Sequence, residues 1–300
     1  MSSQIEDKSV IFLYTKDPHP VHERWADSVN ADKMQVPRGK EGFYSLKPFK
    51  MRKYDVVLCE DSYSMRLAAF HKKFLRGKFQ IIRIIGDSGY FHASERGTAL
   101  KGGDFAAKST DGAIAISELV KENAEPFYNS EIKVVNPFIL EEKYDSLGKL
   151  QYTPHTGKIL FVGKHKKKKD SRKGLDYLEE AIQIVEEEGY DIRVRTTGNS
   201  GEKIKYDTSI EDRGFVGEEE FNKLFEESEL FLQPSRRDGW SVAVLEAMRS
   251  GTPPIVSEHT GSKVVVEQVD EKLVHDMNPE SLAESIEYFL ELSEKEKIEL

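Results

Sequence analysis

The 300-residue sequence predicts an α/β protein built from two doubly wound parallel-sheet domains. Short apolar runs suited to buried strands alternate with helical patterns along most of the chain, which is typical of a parallel sheet covered on both faces. The length also suits two domains of about 150 residues each. We therefore expect one Rossmann-like domain over residues 1–150, a second over residues 151–300, and a cleft between them.

Composition argues against several classes of protein. Hydrophobic residues make up 38% of the chain and aromatic residues 10%, enough for ordinary cores and unlike a disordered chain. A formal net charge of −9 argues against general nucleic-acid binding. The single Cys59 cannot form an internal disulfide and fits a reducing compartment. No signal peptide or membrane span is recognisable, so we expect a cytoplasmic protein, with peripheral membrane contact left open.

The sequence predicts five strands and two helices in the first domain. The strands are expected at residues 10–14, 55–59, 79–85, 111–117 and 132–135, and the helices at residues 64–74 and from Glu118. Residues 15–50 are polar and irregular, and no element is predicted there, so this domain is expected to be abbreviated.

The second domain is predicted to follow a linker at residues 140–156, which has little apolar periodicity. Its strands are expected at residues 159–162, 192–196, 213–216, 230–232, 254–257 and 272–275, with helices at residues 174–188, 218–226, 241–249 and 279–292. The chain ends inside or just after a helix.

The stretch from Leu230 to Ser257 carries the strongest functional signal. It reads LFLQPSRRDGWSVAVLEAMRSGTPPIVS, a strand, a polar turn, a helix with Ser241 at its N-cap position, and a further strand. The free N–H groups and the dipole of a helix start favour a bound phosphate. Asp238 and Glu246, with seven residues between them, place one acid before the helix and one inside it.

This stretch resembles the signature of retaining glycosyltransferases of the GT-B fold, family 4, also called glycosyl transferases group 1. The matching residues are Pro234-Ser235, Gly239, Glu246-Ala247-Met248, Gly251-Thr252-Pro253 and Ile255. Asp238 stands where the family has Glu, Trp240 replaces Phe, and Ser241 replaces the second Gly of the pattern.

The resemblance implies transfer of a sugar from a nucleoside-diphosphate sugar, expected to be UDP- or GDP-linked, to a glycan, lipid or other acceptor. Asp238 is then expected beside the donor sugar and Glu246 on the ribose hydroxyls, with Gly239, Trp240, Ser241 and Val242 also at the donor. Retention implies front-face attack in which the leaving phosphate helps to deprotonate the acceptor, so no protein nucleophile is expected. Neither a metal ion nor a separate cofactor is expected.

The donor phosphates need cations in such a site. The resemblance places Lys164 after the first strand of the second domain and Lys173 before Gly174 in these roles. The spacer between them contains Lys166, Lys167, Lys168 and Lys169. A solvated loop, contact with anionic lipid headgroups and contact with the phosphates all remain open for a charge run of this kind, and we favour solvent or membrane for these four lysines.

Two glycine-containing segments are expected at the nucleoside. Gly198 follows a predicted strand and permits close approach of the backbone. Phe215 and Val216, between Gly214 and Gly217, resemble the family segment whose main chain reads the base. Plain turns explain both segments almost as well. Thr260-Gly261-Ser262 loosely resembles a Gly-Gly turn near the donor sugar.

The acceptor side departs most from the family. The strand ending at Ile85 is followed by Gly86 and Asp87 where a His is usual, and His92 comes five residues after Asp87. Loops at the carboxyl ends of parallel strands bind ligands, so Asp87 is a catalytic candidate by place and His92 a weaker one.

Two other functions remain open from the sequence. These departures also fit a non-catalytic GT-B-like protein that binds a nucleotide or sugar or serves as a partner subunit. A sugar-nucleotide epimerase would use the same fold.

Overall fold

A computed structural model describes residues 8–38, 47–86, 90, 103–154, 156–163, 172–198 and 204–300. The chain forms two compact units, Met1–Pro137 and Phe138–Leu300. The division lies before the expected boundary at residue 150 because the predicted linker contains a helix, Glu141–Leu147, that belongs to the second unit. Leu147 is fully buried in the core of that unit, and the carbonyl of Tyr144 accepts a 3.1 Å hydrogen bond from Arg249 Nε.

The first unit contains a six-stranded parallel sheet. Its strands are β1 (Val10–Tyr14), β2 (Asp32–Gln35), β3 (Val56–Cys59), β4 (Gln80–Ile85), β5 (Gly112–Ala115) and β6 (Ile132–Val134). The α-helices among its described residues are α1 (Pro20–Ser28), α2 (Ser62–Phe74), α3 (Gly103–Lys108) and α4 (Glu118–Ala124), with 3-10 turns at Lys47–Lys53 and Glu125–Phe127. The strand order is β2-β1-β3-β4-β5-β6, so the direction of winding reverses between β1 and β3.

The expectation of an irregular segment at residues 15–50 is wrong, because this segment contains α1 and β2. The helix is short, starts with Pro20 in its first turn, and buries only Val21, His22 and Ala26. Strand β2 is a sheet edge that pairs with β1 alone, and its four residues, DKMQ, are mostly exposed. An edge strand buries little, so it shows no apolar pattern that could have predicted it.

The second unit contains another six-stranded parallel sheet. Its strands are β7 (Lys158–Val162), β8 (Arg193–Thr197), β9 (Ile210–Asp212), β10 (Leu230–Gln233), β11 (Pro254–Ser257) and β12 (Val274–His275). Its helices are α5 (Glu141–Leu147), α6 (Leu175–Glu187), α7 (Glu218–Glu226), α8 (Val242–Arg249), α9 (Lys263–Val266), α10 (Pro279–Glu291) and α11 (Glu294–Glu299). The order β12-β11-β10-β7-β8-β9 reverses between β7 and β10.

Two strands of the second unit differ from their predicted positions. The strand expected at residues 213–216 lies earlier, at β9, because Gly214 adopts a φ of 75° and its N–H donates 2.8 Å to Asp212 Oδ1, which turns the chain. The strand expected at residues 272–275 is shortened to β12 by a 3-10 turn at Glu271–Leu273, in which Lys272 N donates 2.9 Å to Asp270 Oδ1.

The doubly wound α/β fold is otherwise confirmed in both units. Strands β7 and β10 pair in the middle of the second sheet, and their apolar residues, Ile159–Phe161 and Leu230–Leu232, are fully buried. No helix in the described part of the chain is long and apolar enough to cross a membrane.

Candidate functional site

The candidate site lies at the carboxyl ends of β7 and β10, where the strand order of the second sheet reverses. Ligands of open α/β sheets bind at such switch points because the loops on either side diverge and leave a crevice. Gly163 follows β7, and the turn Pro234–Gly239 follows β10. The segment that the sequence singled out is therefore placed at the position that the topology favours.

Asp238 is held in this turn by its main chain and its side chain. Its N–H donates to His259 O (3.1 Å), and its carbonyl accepts from Gly261 N (2.8 Å). Its carboxylate Oδ2 lies 2.6 Å from Lys173 Nζ and accepts a 3.1 Å hydrogen bond from Gln233 Nε2. An aspartate of a solvated turn would be exposed, whereas this side chain is only 11% exposed. The position of Asp238 is thus fixed by Gln233, by Lys173 and by the turn at residues 259–261, and Lys173 also balances its charge.

Lys173 reaches Asp238 from the connection between β7 and α6. A Cβ atom built on Gly163 would lie 3.2 Å from Lys173 Cγ, so the lysine stem passes along the end of β7. The next residue, Gly174, has a φ of 74°, and a Cβ atom there would lie 1.8 Å from Pro234 O. Only glycine fits at this contact, which brings the two loops of the switch point together. Lys173, the residue predicted to bind the donor phosphates, therefore lies beside Asp238 and balances its charge.

The start of α8 and the loops beside it carry polar groups without a partner among the described residues. Ser241 occupies the N-cap position as predicted, its side chain makes no capping hydrogen bond, and its carbonyl accepts a 3.2 Å hydrogen bond from Val244 N. The N–H groups of Val242 and Ala243, which no described side chain caps, are left for a ligand. Trp240 Nε1 is buried and has no hydrogen-bond partner among the described residues, and the same holds for Ser262 Oγ. Buried donors are normally satisfied, so these atoms are consistent with a site that a bound molecule completes.

Glu246 lies on α8 and is half-buried. Burial raises the pKa of its carboxyl group, with a smaller opposing effect from Lys143 and a smaller reinforcing one from Glu218. Lys143, on α5, donates 2.7 Å to Asn222 Oδ1 and lies 3.7 Å from Glu218 Oε1. Glu246 therefore faces the beginning of α7, whose first residue is Glu218.

The glycine-containing segments converge near the same edge. Gly198 has a φ of 102°, its N–H donates 2.9 Å to Gly214 O, and a Cβ atom there would lie 3.0 Å from the carbonyl carbon of Gly163. The segments that follow β7, β8 and β9 are thus packed with their backbones in direct contact. Phe215 is 78% exposed and Val216 packs partly on the core, both just before α7. The side chain of Phe215 is available to a planar ligand.

Other predicted residues divide into two groups. Asp87, His92, Lys164 and Lys166–Lys169 lie outside the described residues, so their roles stay predictions. Thr260 and Gly261 lie at the site, since Thr260 forms a parallel bridge with Asp238.

Two residues of the site were not predicted. Gln233, fully buried, binds the carboxylate of Asp238, and a polar residue closing the apolar run LFLQ was a usable signal for it. Lys143 had no such signal because it lies in the segment expected to be a linker. Among the described residues, no group of three or more His, Cys, Asp or Glu side chains could hold a metal ion.

Sequence comparisons place part of this site within a known family model. Residues 156–292 match the model described as "Glycosyl transferases group 1". An uncharacterized glycosyltransferase of Methanocaldococcus jannaschii is 25% identical, over 91% of this chain and 73% of that protein. The amylovoran biosynthesis glycosyltransferase AmsK of Erwinia amylovora is 30% identical, over 32% of this chain and 27% of that protein. These matches support glycosyltransferase activity.

Structural comparisons confirm the GT-B fold. The HepE protein of Anabaena, solved with UDP and glucose, has a TM-score of 0.69 at 12% identity and covers 97% of this chain and 92% of that one. Sucrose-phosphate synthase of Thermosynechococcus elongatus has a TM-score of 0.65 at 17% identity, with coverage of 94% and 79%. At these identities the likeness concerns the fold alone.

Proposed function

We propose that this protein transfers a hexose from a nucleoside-diphosphate sugar to a hydroxyl acceptor, with retention of configuration at the anomeric carbon. The observation that carries the proposal is the Asp238–Lys173 pair, 2.6 Å apart, beside the start of α8 at the switch point of the second sheet. A carboxylate can bind the sugar hydroxyls, and a cation and the N–H groups of a helix start can stabilise the charge of the leaving diphosphate.

Lys173 and the start of α8 are proposed to bind the diphosphate. Departure of a nucleoside diphosphate develops negative charge, which an ammonium group and a helix dipole stabilise without a metal ion. When phosphate oxygens arrive, Lys173 can share its three N–H donors between them and Asp238. Lys164 is proposed as a second phosphate ligand, on the family resemblance alone.

Asp238 is proposed to accept hydrogen bonds from hydroxyls of the donor sugar. Gln233 orients its carboxylate and the loop around Thr260 holds its main chain. This matters because misplacement by about 1 Å can cost about a hundredfold in rate. The unpartnered Trp240 Nε1 is a further donor available to the ligand. No protein nucleophile is invoked, since in front-face attack the leaving phosphate assists the acceptor.

Glu246 is proposed to bind the ribose hydroxyls, with Phe215 and Val216 at the base. When ionised, its carboxylate can accept two hydroxyl hydrogen bonds, and the charge of Lys143 favours that form against the effect of burial. A UDP-linked donor is the first to test because the HepE structures contain UDP or UDP-glucose.

Thermal unfolding with UDP, GDP and ADP tests the donor site. A nucleotide at about a hundred times its Kd stabilises the folded protein by ~2.7 kcal/mol. We expect a shift with one nucleotide, its loss in Glu246→Ala, and its retention in Glu226→Ala, an exposed carboxylate on α7 that serves as the matched control. No shift with any of the three nucleotides, or equal shifts in both variants, would contradict the proposed site.

Product stereochemistry tests the transfer itself. With a UDP-linked α-sugar as donor, proton NMR of the first product formed should show an α-linkage. A β-linkage would overturn retention and leave the donor site standing, and donor binding without any product would favour the non-catalytic alternative.

A further inference from the structure

Three exposed phenylalanines lie side by side on the surface of the first unit. Phe70 and Phe74 are one turn apart on α2, with ring centroids 5.1 Å apart, and Phe105 lies on α3, which packs against α2. They are 36%, 60% and 38% exposed, respectively. Lys73 joins them, since its Nζ lies 4.4 Å from the ring centroid of Phe105 and 5.8 Å from that of Phe74. We call these three rings the phenylalanine patch.

The phenylalanine patch is not part of the core of the first unit. The other side of α2 supplies that core, and its residues Met65, Leu67 and Ala68 are fully buried. Single exposed apolar residues are common on soluble proteins, whereas contiguous ones mark surfaces that meet another molecule. The three rings are therefore candidates for an interaction surface.

Basic residues border the phenylalanine patch on both helices. Arg66 lies four residues before Phe70 on α2, and Lys108 lies three residues after Phe105 on α3, spacings that place each cation on the same helix face as the ring. Arg76 follows the end of α2. All three basic residues are exposed, so the patch has a cationic rim.

The cations beside the patch are not used in ion pairs within the described part of the chain. Among those residues, no carboxylate pairs with Lys73, Arg76 or Lys108. The neighbouring Lys72, in contrast, pairs with Asp111. The charge of Lys72 is therefore balanced, whereas the rim remains positively charged.

The sequence concentrates positive charge around this surface. Residues 62–86 contain six Lys and Arg and no Asp or Glu, while α3, GDFAAK, contains one charge of each sign. Residues 47–86 contain ten Lys and Arg and three Asp and Glu, a formal charge of +7 in a chain whose total is −9. The basic 3-10 turn Lys47–Lys53 is held at the end of α2 by a hydrogen bond that the guanidinium of Arg52 donates to the carbonyl of Leu75. The first unit therefore has a basic surface in an acidic protein.

We infer that the phenylalanine patch and its cationic rim bind the surface of a membrane that contains anionic lipids. Aromatic rings enter the boundary between headgroups and acyl chains, while Lys and Arg side chains reach the lipid phosphates. The acidic remainder of the chain is repelled by such a surface, so the electric field turns this basic surface toward the membrane. The exposed rings favour a bilayer over a soluble polyanion, which offers them no apolar phase. This docking needs neither a nucleotide nor transfer activity.

Cosedimentation of the full chain with vesicles tests the inference. Vesicles of phosphatidylcholine are compared with vesicles in which about one quarter of the lipid is phosphatidylglycerol, at low and at high salt. We expect binding to the anionic vesicles that weakens as salt is added, and weak binding to phosphatidylcholine alone. In the double variant Lys73→Glu/Arg76→Glu, partitioning should fall by at least about 25-fold, because each basic residue near an anionic surface contributes about fivefold.

Phe74→Ser and Phe105→Ser test the rings. Each is expected to lower partitioning by about tenfold, because the transfer of an aromatic ring into an apolar phase is lost. Ile298→Ser and Lys295→Glu are the matched controls, since both residues are well exposed on α11 of the second unit, whose sequence EKEKIE is acidic. We expect both controls to partition within about twofold of the wild-type protein.

A labelled cysteine reports insertion of the patch without removing its cations. The single Cys59 is buried, so a bimane dye reacts with a cysteine introduced at the surface. The dye at Phe74→Cys should shift its emission to the blue when anionic vesicles are added. The dye at Ile298→Cys should show no such shift.

Equal partitioning of the patch and control variants, or no blue shift at Phe74→Cys, would overturn the inference. Heparin binding that requires Lys73 and Arg76, in a protein that does not bind vesicles, would identify a soluble polyanion as the partner and overturn the membrane assignment. A dimer that Phe74→Ser dissociates in sedimentation equilibrium, without vesicle binding, would identify a second copy of the chain and overturn it as well. None of these outcomes bears on the donor site, because the nucleotide-induced thermal shift is measured without vesicles.

Discussion

The strand order reverses between β1 and β3 in the first unit and between β7 and β10 in the second, and an aspartate beside each of these switch points has a different role. Asp61, after β3, caps α2 by accepting from Tyr63 N (2.8 Å) and Ser64 N (2.9 Å), and it also binds the N–H and hydroxyl of Thr15. Asp238, after β10, caps no helix and pairs with Lys173. In the first unit the helix start is therefore capped by a side chain. In the second unit no side chain caps the start of α8.

This difference indicates which groups serve stability and which serve chemistry. A carboxylate that accepts four hydrogen bonds from the main chain and a hydroxyl is tied to the fold and has little capacity for a ligand. A carboxylate balanced by one ammonium group is poised to exchange that partner for a sugar hydroxyl or a phosphate. The following substitutions test this assignment.

Asp238→Asn is expected to have the largest effect. Because the amide keeps the shape but loses the charge at the donor sugar, we expect transfer to fall about 10²–10³-fold, the usual effect of removing one preorganised electrostatic contact. The nucleotide-induced thermal shift should persist, since Lys173 is freed for the phosphates. The measurement is kcat with UDP-glucose, and a rate within threefold of wild type would contradict the role proposed for Asp238.

Gly174→Ala should disrupt the contact between the two loops of the second switch point. A methyl group there would collide with Pro234 O in a backbone region unfavourable to side chains, so we expect a loss of about 3 kcal/mol or more in the free energy of unfolding. Gly189→Ala is the matched control, since its φ is 95° but nothing lies within 4 Å of the added atom. It should lose only about 1–2 kcal/mol in urea denaturation. Equal losses would show that the Pro234 contact is unimportant.

Asp61→Ala should destabilise the first unit by about 1–2 kcal/mol, the usual cost of losing an N-cap, and toward the upper end because Thr15 also loses its partner. Asp17→Ala, an exposed aspartate before α1, should change stability by less than about 0.5 kcal/mol. Urea denaturation compares the two. Similar values for both would contradict the structural role of Asp61.

Glu246→Gln is expected to give the smallest effect, and one that depends on pH. Burial raises the pKa of Glu246, so the folded state holds this proton more tightly than the unfolded state, and stability is lost as pH rises through the raised pKa. The glutamine variant should therefore unfold at a higher temperature than wild type at pH 8, with a smaller difference at pH 4. UDP should stabilise the variant less. A thermal gain that is larger at pH 4 would contradict this account.

The motif around residues 230–257 was predictable because its elements are contiguous. An apolar run, a turn with Gly239, a helix ending at Arg249 and the Pro-Pro strand start are all local signals, and the structure confirms each of them. The α1–β2 segment was missed because it lacks such local signals. An exposed edge strand and a helix with three buried residues carry almost no hydrophobic pattern. The strand at 213–216 was misplaced because Gly214 turns the chain after β9.

The fold class, most strand and helix positions and the two acids Asp238 and Glu246 could be predicted from the sequence, since hydrophobic periodicity and turn chemistry are properties of neighbouring residues. Which distant side chains meet depends on the packing of the sheets and could not be predicted. Lys173 and Asp238 are 65 residues apart, and His22 and Glu60 are 38 apart. They come together because each sheet winds in two directions from its central strands, so that loops remote in the chain share one edge.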